Sequence, residues 1–129
     1  MKCILAILFA FVSFNAYAVS PNDPLPTTIF SCGGSIIKDI GARLANDKNF
    51  ETGAHVNLKN GGFSVAYQGD PTLSAIRDSK LGDHVLVCLV YIPKHCPPGD
   101  NRGKVYTITN LRTLQSWTLP DSQHECGGA

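Results

Sequence analysis

The sequence predicts an all-β fold: a small single-domain barrel or sandwich of six to seven antiparallel strands, tied by two disulfides. Three observations lead there. Val85 to Ile92 is an apolar run without a charged side chain, of strand length and closed by Pro93. Two other stretches read as hairpins, with β-branched and aromatic residues flanking turn-forming ones. An even set of cysteines remains once the N-terminal segment is set aside. The alternative is α+β, with one helix at residues 35–45.

Residues 1–18 carry Lys2, an apolar run from Cys3 to Phe14, and Ala16-Tyr17-Ala18, an A-x-A cleavage signal. The run is shorter than the ~20 residues needed to cross a bilayer. The segment reads as a secretory signal peptide, with the mature chain starting at Val19. Residues 19–31 hold Pro21, Pro24 and Pro26 and little apolar periodicity, as expected of an extended, mobile lead-in. Cys32-Gly33-Gly34 then offers a flexible joint, and the single β domain covers residues 32–129.

Ile36, Ile37, Ile40 and Leu44 fit one helical face with Ser35 as its cap, but Gly41 and the β-branched isoleucines favour a strand. Val56 and Leu58 lead into Asn60-Gly61-Gly62, and Phe63, Val65 and Tyr67 alternate beyond it. Asn-Gly tolerates positive φ at both central positions of a two-residue hairpin turn. Residues 71–80 form a connector anchored by Leu73 and Ile76, with room for one helical turn or a short strand.

Gly82-Asp83 opens the central run. Val85, Val87, Leu89 and Tyr91 occupy one alternation phase, and Leu86, Cys88, Val90 and Ile92 the other. Both phases are apolar, so the strand is expected to be covered on both faces. Residues 93–103 form a loop that Pro97-Pro98 stiffen and Gly99 and Gly103 bend. Val105 to Thr109 and Gln115 to Leu119 make the arms of a second hairpin around residues 110–114, and the tail carries Cys126.

Of five cysteines, Cys3 leaves with the signal; Cys32, Cys88, Cys96 and Cys126 remain. In an exported chain this favours disulfides. If the central run pairs with residues 105–109, and that arm with 116–119, the 93–103 loop and the start of the tail share one end of the sheet. Cys96 then meets Cys126, leaving Cys32 for Cys88, a pairing that needs Cα atoms within ~7 Å.

The chain has 11 Lys+Arg and 10 Asp+Glu; without Lys2 the counts are equal and the formal charge falls from +1 to zero. No basic block offers counterion release, so nucleic acid is not an expected partner. No second apolar span or basic amphipathic helix suggests membrane insertion after signal cleavage.

His55, His84, His95 and His124 are the histidines. His95-Cys96 and His124-Glu125-Cys126 would give an N2S2 metal set if they converged, but the spacing matches no finger or ribbon, and an oxidising compartment favours S–S bonds. No metal or cofactor is therefore expected. The alternative is a small metal-binding protein or hydrolase using His95 and His124. Burial would quieten a Cys88 nucleophile, and Ser35 lacks a G-x-S-x-G context. Asp83-His84 reads as base and orienter or, more plainly, as a turn whose carboxylate bonds nearby backbone. Phosphate-binding glycine motifs are absent. No catalytic residue is assigned, and the chain leans away from enzymes.

Asp100-Asn101-Arg102 sits on the stiffened loop, which lowers the ordering cost of association. Arg102 is the expected partner anchor, because arginine bonds carboxylates bidentately and is enriched at hot spots. Asp100, Asn101 and, at the base of the loop, His95 complete the expected partner-binding set; Trp117 is assigned to the core.

The stretch with Cys-Pro-Pro-Gly-Asp-Asn-Arg-Gly, Thr-Asn-Leu-Arg-Thr, Ser-Trp-Thr-Leu-Pro-Asp-Ser and His-Glu-Cys-Gly-Gly-Ala, residues 96–129, resembles small exported bacterial proteins of proteobacterial type whose function is unknown. The resemblance covers the C-terminal third, implies a periplasmic home and brings no activity with it. The expected function is a periplasmic or secreted protein-binding module, an inhibitor or immunity protein acting on a cell-envelope hydrolase or toxin. A structural part of an envelope assembly is a further alternative.

Overall fold

Eleven residues, Cys32–Ala42, form one strand, β1, that belongs to both halves of the sheet. In the computed structural model, which describes residues 19–128, β2 (Gly53–Leu58), β3 (Phe63–Tyr67), the helix α1 (Leu73–Asp78), β4 (His84–Tyr91), β5 (Val105–Asn110) and β6 (Ser116–Pro120) follow. The expected signal peptide, residues 1–18, lies outside the described residues. The strand order is β3-β2-β1-β4-β5-β6, antiparallel throughout. Cys32 to Ile36 pair with β4, and Ile37 to Ala42 pair with β2. The register shifts between Ile37 and Asp39, so Lys38 is an extra residue. Such a bulge bends a strand and sharpens its twist.

The edges β3 and β6 approach each other, giving a nearly closed barrel. Across this seam Trp117 Nε1 donates to Ser64 Oγ at 3.1 Å. Inside lie Ile37, Val56, Leu58, Val85, Val87, Leu89, Ile108, Trp117 and Leu119. The helix α1 adds Leu73, Ala75 and Ile76 to the same core. The fold is therefore all-β with six strands, as expected, and residues 35–42 are strand, not helix.

β4 departs from expectation. Val85, Val87 and Leu89 are buried, but Leu86, Cys88 and Val90 are only half-buried. Its apolar outer phase reflects a different use: Cys88 is directly opposite Cys32 in the ladder and bonded to it, with Cα atoms 4.1 Å apart. The second disulfide joins Cys96 and Cys126, 5.2 Å between Cα atoms. Both pairings are those expected from the sheet.

The lead-in is tied to the barrel by hydrogen bonds. Asp23 Oδ2 accepts from the amide of Gly34 at 2.9 Å, Tyr106 Oη donates to the Pro26 carbonyl, and Asn60 Nδ2 donates to the Asp23 carbonyl. Gly33 and Gly34 are strand residues opposite Val87 and Leu86 rather than a joint. The β2–β3 turn also differs in detail. Gly61 alone takes a left-handed φ, +86°, and the Leu58 carbonyl accepts from the Gly61 amide. The loop is thus three residues long with glycine last, and Asn60 is freed to brace the lead-in.

Candidate functional site

Proline-rich residues 24–31 end in a tight turn. The Thr28 carbonyl accepts from the Ser31 amide at 3.0 Å, and Phe30 has φ +65°. This is the hydrogen bond and third-residue φ of a type II turn, whose third position normally requires glycine or asparagine. The Phe30 amide donates to the Leu89 carbonyl at 2.7 Å, and Leu89 N donates to the Ser31 carbonyl at 3.1 Å. Phe30 and Ser31 thus lie opposite the single residue Leu89, a bulge whose first position is also ordinarily glycine. A left-handed bulky residue costs roughly 1–2 kcal/mol. The ring gains no packing in return, being 81% exposed. Ile29 beside it and Tyr91 at the end of β4 are also exposed.

β4 runs from this turn into residues 93–103. There the Arg102 guanidinium holds Asp100 bidentately, Nε to Oδ1 at 2.9 Å and Nη2 to Oδ2 at 2.8 Å. That guanidinium keeps the Asp100 carboxyl below the ordinary carboxylate range, helped by the Gly127 amide. Arg102 Nη2 also reaches the Gly128 carbonyl, and Arg102 O accepts from the Cys126 amide. Arg102 is exposed, but it fastens the loop to the tail instead of waiting unpaired. Asn101 is exposed, its carbonyl accepting from Lys104 Nζ, and His95 is exposed with φ +62°. The structure therefore places Arg102, Asp100, Asn101 and His95 on one disulfide-stapled loop.

The chemical alternatives fare differently. Asp83 does not pair with His84. Its Oδ1 accepts from Arg112 Nε at 2.7 Å, and its Oδ2 from Arg112 Nη2, Asn110 Nδ2 and the Lys80 amide, each at 2.8 Å. The bond from Arg112 drives its carboxyl far below the usual value. Asn110, fully buried, also donates to Ser79 Oγ and accepts from the Arg112 and Thr113 amides. This network shapes the β5–β6 turn.

His55 presents Nδ1 to the Ala42 carbonyl and Nε2 to Asp39 Oδ2, both at 2.9 Å. The ring thus ties β2 to β1 as a strut. Its hydrogen bond lowers the pKa of Asp39, with Asn57 adding to the effect. Ser35 is buried and accepts from the Asn60 amide, and Cys88 is consumed by its disulfide. His95 and His124 are both exposed; their neighbours Cys96 and Cys126 are bonded to each other. No group of three or more His, Cys, Asp or Glu able to hold a metal occurs among the described residues.

Sequence reasoning missed Phe30 because nothing in Thr-Ile-Phe-Ser marks a left-handed residue; only glycine or asparagine would have. It missed the Asp83–Arg112 pair because the partners are distant in the chain. Comparison with protein-family models, with curated proteins and with solved structures gives no match. Fold and site together define a class: a disulfide-stapled β-barrel that presents an exposed aromatic turn and a fastened loop.

Proposed function

We propose that this protein is an exported, periplasmic binding module that acts by occupying another protein's site, as an inhibitor or immunity protein of a cell-envelope hydrolase or toxin. The observation that carries the reading is Phe30. An exposed ring held in a backbone conformation its residue type disfavours is the kind of strain that collects at functional positions. Aromatic side chains are also enriched at the cores of protein interfaces. Phe30 is the anchor in this reading. Asp100, Asn101, Arg102 and His95 form the rim, with Arg102 offering the guanidinium edge that Asp100 does not use. The two disulfides suit an oxidising compartment.

The test is affinity capture from envelope extract with residues 19–129, followed by assay of the captured protein's hydrolase activity. The expected result is a stoichiometric partner inhibited by the wild-type domain and released by Phe30→Gly, with weaker inhibition by Arg102→Ala. Equal inhibition by the wild type and both variants would overturn the reading.

A further inference from the structure

An open cleft of about 630 Å³ lies at the foot of α1, between Ile40, Phe50 and Leu81 and the cations Arg77 and Lys80, with Asn49 also lining it. That volume is within the range of small-molecule sites. Ile40 and Phe50 are half-buried and pack against the core, whereas Leu81 is 65% exposed. The lining residues include no acid. The three ion pairs among the described residues use neither Arg77 nor Lys80. In a chain whose charges nearly balance overall, this is a local surplus of positive charge over an apolar floor.

Phe50 adds a second observation. Its φ is +59°, a left-handed conformation that an aromatic residue rarely adopts. Arg77 secures it: Nη2 donates to the Phe50 carbonyl at 3.2 Å, and the guanidinium carbon lies 5.9 Å from the ring centroid. The ring is thus fixed as one wall, with the cation that fixes it alongside.

We infer that this cleft binds a small organic anion with an apolar body and one carboxylate. The body rests on Ile40, Phe50 and Leu81, and the carboxylate lies between Lys80 and Arg77. This site is separate from the Phe30 turn and does not depend on the binding role proposed above.

The experiment is an NMR titration of the folded domain with octanoate, octanamide and octylammonium, three ligands that share a chain and differ in head-group charge. The expected result is saturable shifts at Phe50 and Leu81 with octanoate, weaker ones with octanamide and weakest with octylammonium. Lys80→Glu, a change at an exposed residue, should weaken octanoate by at least about fivefold, the equivalent of a modest exposed ion pair. Leu81→Asn should weaken octanoate and octanamide alike. Equal binding of the three ligands, shifts spread over the surface, or indifference to Lys80→Glu would overturn the inference.

Discussion

Trp117 and Ser64 face each other across the one seam of the barrel that no strand ladder closes, and the indole N–H donates to the serine hydroxyl at 3.1 Å. Both residues are buried. Removing the hydroxyl leaves the indole donor without an acceptor, a loss of about 1–3 kcal/mol. Ser64→Ala should therefore destabilise the domain by that amount in denaturant melts. Amide exchange should quicken first in β3 and β6.

Phe30→Gly separates fold from function. Glycine takes a left-handed φ freely, so roughly 1–2 kcal/mol of strain is relieved, offset by about 0.5–1 kcal/mol of extra chain entropy in the unfolded state. The exposed ring forfeits little packing. Stability, read by thermal melting, should stay level or rise while partner binding is lost. A marked drop in melting temperature would show that the ring serves the fold.

Acid should weaken the domain through Asp83. Its folded pKa is depressed by Arg112. The stability it contributes is therefore present above the unfolded value, about 3.9, and is lost as the pH falls through the folded one. Melting temperature against pH should fall below about pH 4 in the wild type. Asp83→Asn should start lower and show a flatter acid limb. The carboxylate is only 8% exposed, but Arg112 is 45% exposed, so solvent screens the pair and the loss at neutral pH should be smaller than for a fully buried ion pair.

Gly41→Ala tests the His55 strut. A methyl at position 41 would stand 2.5 Å from His55 Cε1, so the ring is expected to turn aside. The expected cost in stability is small, since the atoms met are the far end of a side chain that can rotate. The His55 ring protons should shift, and the bonds to Asp39 and Ala42 should be lost. An unchanged His55 spectrum would mean that the strand gives way instead.

Much of the fold was legible because it rests on local patterns. Val56 and Leu58 before the Asn60-Gly61-Gly62 turn, and Phe63 and Val65 after it, signal a hairpin through alternation. The disulfide pairing followed from which strands must neighbour which. The errors have physical causes. Leu86 and Val90 looked core-bound, but a strand carrying an outer disulfide can be apolar on that face without full burial. The ties that hold residues 19–31 to the barrel were hidden because they use backbone groups and one carboxylate, Asp23, which composition does not reveal. Of the candidate site, the loop with Arg102 was legible as a stiff projection; its internal pairing with Asp100 was not, since a neighbouring acid can equally face solvent. Phe30 was illegible because φ is not written in residue type.

The connectivity of the cystines has a consequence for biogenesis. Among Cys32, Cys88, Cys96 and Cys126, each joins its neighbour in the chain, Cys32 to Cys88 and Cys96 to Cys126. A chain threaded N-terminus first into an oxidising space would present them in that order. An oxidant that simply links each newly arrived thiol to the one still waiting would then produce the native pattern, with no reshuffling catalyst required.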